Sequence, residues 1–281
     1  MLFTWLSQNS GSIYVEMLLL FSFALVLTSI GFYRLLYFIN IGYAFAIVAM
    51  VLITITRQFK NLSVVSVLQN IFLAFWGLRL SIYLVKREFQ SAYSERNAEI
   101  HQGLSRVPWG VKIVIWLGVS VLYVFMFSPS LFQLTAISAR PSWGLYLSQG
   151  AGLLLMGGGL ILEALADKQK SDFKTAFPKQ YCDVGLYHWV RCPNYLGEII
   201  FWVGNWVVSI MFYDTPMKWI ASLVGAVCIV LIMMGSTKRL EYAQDERYGD
   251  RPEYQQYIQV VPVLFPYVPV YSLKKIRVLI E

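Results

Sequence analysis

Residues 37–56, YFINIGYAFAIVAMVLITIT, run for 20 positions without a charged side chain. A helix that crosses the hydrocarbon core of a bilayer needs about 20 predominantly apolar residues. The whole chain shares this bias, since 57% of its 281 residues are apolar and 14% are charged, against about 45–50% and 25% in an average soluble domain. The composition therefore excludes a water-soluble enzyme and predicts a membrane protein with several spans.

Similar apolar stretches recur along the chain, and short segments between them collect nearly all the charge. The sequence therefore predicts an all-α, polytopic membrane protein with about seven transmembrane helices in a single integral membrane domain, 1–281. The predicted spans are 12–33, 37–56, 62–85, 109–134, 142–166, 194–213 and 217–236.

The basic residues fall mainly on one side of this arrangement. Of the 23 lysine and arginine residues, 18 lie in the segments or at the span ends on one side, four lie likewise on the other side, and Arg79 lies well within a span. Because cytoplasmic loops carry an excess of lysine and arginine, we expect the N-terminus outside and the C-terminus in the cytoplasm. The long polar segments 86–108, 167–193 and 237–281 would then face the cytoplasm. A bacterial inner membrane and an endoplasmic reticulum membrane both fit this pattern.

Several other site classes find no support in the sequence. The net charge of +7 is explained by topology, and no basic stripe interleaved with exposed aromatics indicates a nucleic-acid partner. The three cysteines are too few and too scattered for a disulfide framework or a metal site. The glycines at 157–159 lack the context of a phosphate loop and are more typical of close helix packing.

Charged side chains inside the spans are rare, and each is expected to have a polar partner or a functional role. Glu163 and Asp167 are one helical turn apart, and Lys170 continues the same face toward the cytoplasm. A second polar group is GLYHWVRCPNYLGE at 185–198. There Pro193 can start a helix, and Arg191 with the exposed N–H groups of that helix start offers an anion site.

These segments resemble known sequences. RCPNYLGE at 191–198 resembles the RHPNYLGE signature of the steroid 5-alpha-reductase superfamily, which includes membrane sterol reductases and, in looser form, isoprenylcysteine carboxyl methyltransferases. Further matches follow in the same order: WGLR at 76–79, EALADKQK at 163–170, RYG at 247–249, VP at 261–262 and FP at 265–266. The resemblance covers about residues 62–270 and is closest to the bacterial branch.

The resemblance implies a membrane reductase that binds NADPH in a cavity open to the cytoplasm. By position, Asn194 and Tyr195 would contact the nicotinamide side of the cofactor. Asp167, Lys170 and Arg191 would contact its ribose and phosphate region. The other residues that the resemblance assigns to this cofactor cavity or its cover are Arg79, Glu163, Arg239, Glu241, Tyr187 and Tyr257.

Two departures from the family pattern bear on the substrate. Cys192 replaces the signature histidine, and Trp76 stands where the steroid reductases have a tyrosine, with no Gln-Glu pair between positions 37 and 56. The usual groups that polarise a steroid carbonyl are therefore absent. Candidate proton donors, chosen by location alone, are Glu198, Tyr83 and Tyr43.

We therefore expect an NADPH-dependent reductase of a lipophilic enone or alkene, such as a sterol, an isoprenoid or an acyl lipid taken from the bilayer. The cofactor would carry out the hydride step, and the protein would orient it and exclude water. An S-adenosylmethionine-dependent membrane methyltransferase and a non-catalytic lipid-binding scaffold are the alternatives.

Overall fold

The computed structural model describes residues 12–89, 107–136 and 141–276, with the backbone alone for 87–89. Most of the predicted cytoplasmic segment 86–108 lies outside these residues. The described residues form α-helices and short 3₁₀ turns, with no β-strand among them. The α-helices are α1 (Ile13–Thr28), α2 (Ile41–Arg57), α3 (Val64–Phe89), α4 (Trp109–Thr135), α5 (Trp143–Ala176), α6 (Pro193–Val208), α7 (Pro216–Tyr248) and α8 (Pro252–Val260).

Among the described residues, six helical segments are long and apolar enough to cross a membrane, so the chain is an all-α polytopic membrane protein. Large apolar side chains such as Leu18, Val26 and Ile220 are exposed on them, as expected for surfaces that face lipid. The six segments are Ile13–Phe32, Leu35–Arg57, Val64–Lys86, Trp109–Thr135, Trp143–Ala176 and Pro216–Tyr248.

The predicted span 194–213 is not among these six segments. It forms α6, whose 16 residues extend for about 24 Å at 1.5 Å per residue, less than the roughly 30 Å of a hydrocarbon core. None of its residues is exposed, so its apolar composition serves packing on all sides rather than contact with lipid. The predicted orientation rested on seven full spans and stays a prediction.

Helices α5 and α7 are longer than a bilayer requires. Their 34 and 33 residues correspond to about 50 Å each, so each continues about 20 Å beyond the hydrocarbon thickness. The polar ends of both helices carry residues that the sequence assigns to the site.

The described chain divides into two compact units, and the divisions fall inside α5, α6 and α7. The first unit comprises the described residues within Met1–Leu153 and Asn205–Ala226. In it, the buried carboxylate of Glu16 accepts hydrogen bonds from Arg57 Nε and Nη2 at 2.8 and 2.9 Å. This ion pair joins the start of α1 to the end of α2.

The second unit comprises Leu154–Gly204 and the described part of Val227–Glu281. It contains most of α5 and α6, the C-terminal part of α7, all of α8 and the chain that follows α8. Most of the residues that the sequence assigns to a cofactor lie in this unit.

Candidate functional site

Two glycines bring α5 and α6 into backbone contact in the second unit. A Cβ atom added to Gly159 would lie 2.5 Å from Phe201 N and 2.6 Å from Gly197 O. One added to Gly197 would lie 2.6 Å from Glu163 N. Only glycine allows this approach, so the predicted role of this glycine run in helix packing is confirmed at Gly159. The crossing places Glu163 of α5 beside the first turns of α6.

Ionisable side chains are concentrated in the interior of this unit. Unpaired buried charges are strongly unfavourable, so each of these groups requires specific polar surroundings. The buried carboxylates are Glu163, Asp167, Glu198 and Glu241, and the buried cations are Arg191 and Lys238.

Arg191 and Glu241 form the best-defined contact of the site. Arg191 Nη2 lies 3.0 Å from Glu241 Oε1, with both side chains 2% exposed. The same Nη2 also donates to the carbonyl oxygen of Tyr271, and the second carboxylate oxygen, Glu241 Oε2, accepts from Leu273 N at 2.9 Å. The C-terminal segment thus completes the coordination of this ion pair.

Further contacts attach the same C-terminal segment to the site. The backbone N–H of Arg191 donates to Pro262 O at 3.0 Å, and Lys274 Nζ forms an ion pair with Asp245 of α7. Lys238 donates to Ile276 O at 3.3 Å. The tail beyond α8 is therefore a structural wall of the site.

Two buried polar atoms at the start of α6 have no hydrogen-bond partner among the described residues. They are Arg191 Nε, a donor, and Asn194 Oδ1, an acceptor. Buried polar atoms are paired in the great majority of cases. A buried atom without a partner destabilises the fold, because it has given up its hydrogen bonds to water. This donor and this acceptor, three residues apart in the chain, are available to a bound polar molecule.

A short 3₁₀ segment, Gly185–His188, closes another side of the site. Gly185 has a φ of +60°, and the Leu186 N–H that follows donates to Gln169 Oε1 at 2.9 Å. The Tyr187 hydroxyl donates to Ala166 O at 3.2 Å, while the Tyr257 hydroxyl donates to Tyr187 O at 2.7 Å. Tyr187 and Tyr257 therefore meet beside the C-terminal part of α5.

Two lysines of α5, Lys170 and Lys174, lie near Tyr187 and near Tyr248. Lys170 Nζ lies 5.9 Å from the centroid of the Tyr187 ring, and Lys174 Nζ donates to the Tyr248 hydroxyl at 2.8 Å. Asp167, Lys170 and Lys174 lie on one face of α5, where Asp167 is buried and the two lysines are partly exposed. Tyr195, on the first turn of α6, is partly buried.

Arg239 does not share this environment. It is exposed and donates to the Ser236 hydroxyl of its own helix at 2.9 Å. The neighbouring Lys238 is buried instead. Spacing could have identified Lys238, because positions 238 and 241 are three apart and lie on one helical face.

Three residues assigned from the sequence belong to the first unit. Tyr43 is buried in an aromatic cluster, with ring centroids 4.8 Å from Tyr123 and 4.9 Å from Trp76. Arg79 and Tyr83 are partly buried on α3. These three side chains are described within their own unit only.

The first unit also contains an apolar cleft with a volume of about 590 Å³. Side chains from α1, α4 and α7 line it. They include Met17, Leu18, Phe21, Val124, Phe125 and Ile220. Its size and lining suit the hydrocarbon part of a lipid-sized molecule.

The thiol of Cys192, directly before α6, is buried, and burial raises its pKa from an ordinary 9.0 to about 11. Burial also raises the pKa of Tyr257. Between pH 9 and 11 the unfolded chain loses the Cys192 proton while the folded chain keeps it. The stabilisation is therefore complete below pH 9 and is lost as the pH rises through 11.

We predict that the melting temperature in detergent falls between pH 9 and 11, and falls less in Cys192→Ala. The thiol alone accounts for about 2 kcal/mol of the loss by pH 11. Melting curves of both proteins at pH 8, 9, 10 and 11 measure this effect. The same pH dependence in both proteins would contradict the assignment to Cys192.

Comparisons with known proteins give a family and one relative. A family model described as a protein of unknown function, DUF1295, matches residues 29–261. The chain is also similar to an uncharacterised protein of Schizosaccharomyces pombe, with 27% identity over 126 residues, covering 38% of this chain and 35% of that protein. The match thus spans about a third of the relative's length. No solved structure matches the chain.

Proposed function

Because this chain belongs to the DUF1295 family of proteins of unknown function, we propose its function from its own site. The proposed function is a membrane-embedded reductase that uses NADPH to reduce a carbon–carbon double bond of a lipophilic enone or alkene. The observation that carries this proposal is the pair of unpartnered buried atoms at the start of α6, Arg191 Nε and Asn194 Oδ1.

The polar atoms of the second unit fit the chemistry of a dinucleotide. Asn194 Oδ1 can accept from a carboxamide N–H, and Arg191 Nε can donate to a phosphate oxygen. The carboxylates of Glu163 and Asp167 suit ribose hydroxyl groups, and Lys170 supplies a further positive charge. These five residues, which the resemblance to the steroid 5-alpha-reductases assigns to the cofactor, are therefore chemically suited to it.

Bound NADPH would supply the hydride, while the chain's own residues would orient the reactants and provide the proton. Asn194 and Glu198 are four residues apart on α6, so they lie on one face of that helix. Glu198 is buried, which places a carboxyl group one turn from the proposed carboxamide contact. It is our candidate for the proton donor in this unit.

The contacts of the ion pair explain how the site is kept in order. Glu241 and the Tyr271 carbonyl hold one end of the Arg191 guanidinium, which fixes the direction of the remaining Nε donor. A rigid donor loses little conformational entropy when a ligand binds. The long apolar helices of the chain support a lipophilic class of substrate.

One observation favours a second candidate. Buried carboxylates outnumber buried cations in the described part of the second unit, which is more favourable for a cationic cofactor than for a phosphorylated one. S-adenosylmethionine carries a sulfonium cation, so a membrane methyltransferase is the alternative reading of the same site.

Ligand-induced stabilisation separates these readings, because a ligand that binds only the folded state raises stability by mass action. We expect NADPH to raise the melting temperature of the protein in detergent. A rise with S-adenosylmethionine alone would identify the methyltransferase. No rise with NADPH, NADH or S-adenosylmethionine would indicate a non-catalytic lipid-binding scaffold.

Asn194→Ala should abolish the rise caused by NADPH, because it removes the unpartnered acceptor. Asn61→Ala, a matched change at an exposed asparagine of the first unit, should leave that rise unchanged. Thermal melting of both variants with and without NADPH measures the effect. An unchanged rise in folded Asn194→Ala would overturn the assignment of Asn194.

A further inference from the structure

A network of uncharged polar side chains is buried in the first unit, and none of its members is used in the proposed function. Gln69 comes from α3, Gln133 from α4 and Asn205 from α6, and Ser209 follows α6 directly. Their exposed fractions are 0%, 6%, 1% and 0%. Buried polar side chains within membrane spans are unfavourable and mark functional positions.

The hydrogen bonds of this network have a fixed direction. Asn205 Nδ2 lies 3.1 Å from the carbonyl oxygen of Met126, which can only accept, so the amide nitrogen must point there. Asn205 Oδ1 therefore accepts from Gln69 Nε2 at 2.8 Å. The orientation of the Gln69 amide follows from that of Asn205.

The direction continues through Ser209 to the second glutamine. Gln69 Nε2 also donates to Ser209 Oγ at 3.2 Å, and the Ser209 hydroxyl donates to Gln133 Oε1 at 3.2 Å. Each glutamine amide thus has one atom hydrogen-bonded to the Ser209 hydroxyl. The remaining atoms, Gln69 Oε1 and Gln133 Nε2, are buried without a hydrogen-bond partner among the described residues.

We propose that Gln69 and Gln133 form a binding site for one uncharged hydroxyl group inside the first unit. A hydroxyl donates one hydrogen bond and accepts others, so it satisfies both the free acceptor of Gln69 and the free donor of Gln133. A carboxylate has no proton to donate to Gln69, and an ammonium has no lone pair to accept from Gln133. The hydroxyl comes either from a water molecule held in the helix bundle or from a lipid alcohol.

An experimental structure of the full chain in detergent, at a resolution that shows ordered water, tests the site directly. We expect an oxygen within about 3.2 Å of both Gln69 Oε1 and Gln133 Nε2. An isolated oxygen would identify water, and density continuous with a hydrocarbon chain would identify a lipid alcohol. The absence of any oxygen between the two amides, or direct contact between them, would overturn the proposal.

A melting experiment distinguishes the two sources in solution. If a lipid alcohol is the ligand, added hexadecanol should raise the melting temperature of wild type more than hexadecane does, and Gln133→Met should lose that difference. Gln149→Met, at a partly buried glutamine outside the network, should retain it. Equal effects of hexadecanol and hexadecane on wild type, with an isolated oxygen in the structure, would assign the site to water. None of these outcomes depends on NADPH binding.

Discussion

Gly159→Ala should strongly destabilise the protein. The added Cβ would lie 2.5 Å from Phe201 N and 2.6 Å from Gly197 O, and neither atom belongs to a flexible side chain that can move aside. Overpacking a tight interior costs about 1–3 kcal/mol, and a clash with two backbone atoms belongs at the upper end of that range. We expect a melting temperature in detergent well below that of wild type.

Gly158→Ala is the matched control, because it makes the same change one residue away. No atom lies within 4 Å of a Cβ added to Gly158, and alanine is favoured over glycine in a helix by about 1 kcal/mol. Its melting temperature should equal or exceed that of wild type. If Gly158→Ala and Gly159→Ala have the same melting temperature, the backbone contact between α5 and α6 is not what the structure describes.

Glu241→Leu should produce the second large effect. It removes the carboxylate that neutralises the buried guanidinium of Arg191 and leaves the Leu273 N–H without its acceptor. Breaking one side of a buried ion pair costs about 3–5 kcal/mol, because the other charge stays buried and uncompensated. Thermal melting in detergent measures this loss.

The double variant Arg191→Met with Glu241→Leu separates this explanation from lost packing. With both charges replaced by apolar groups, a large part of the stability should return, although NADPH should no longer stabilise the protein. A double variant that is less stable than Glu241→Leu alone would show that the two side chains are not coupled as an ion pair.

Much of the fold follows from the sequence because lipid imposes a simple requirement. A spanning helix must be long and apolar, and the predicted span 37–56 agrees closely with the observed Leu35–Arg57. The same rule fails for α6, since a helix buried on all sides and a helix that faces lipid have similar composition. Length was the available signal, but the apolar residues that follow Val208 concealed where the helix ends.

The candidate site was partly predictable for a different reason. Local spacing relates Glu163 to Asp167 and Asn194 to Glu198, because helix geometry fixes which residues share a face. Contacts between distant segments leave no such signal. Tyr271 O contacts Arg191 across 80 positions, and nothing in the local sequence indicates that a backbone carbonyl would share the guanidinium with Glu241.

The proposed reduction is tested most directly by following the hydride. Purified protein is incubated with NADPH that carries deuterium at both C4 positions and with a lipid extract from membranes of the source organism, and the lipids are then analysed by mass spectrometry. We predict a lipid that gains one deuterium and one hydrogen from solvent with wild type and not with Asn194→Ala. Folded wild type that is stabilised by NADPH yet transfers deuterium to no lipid would contradict the account.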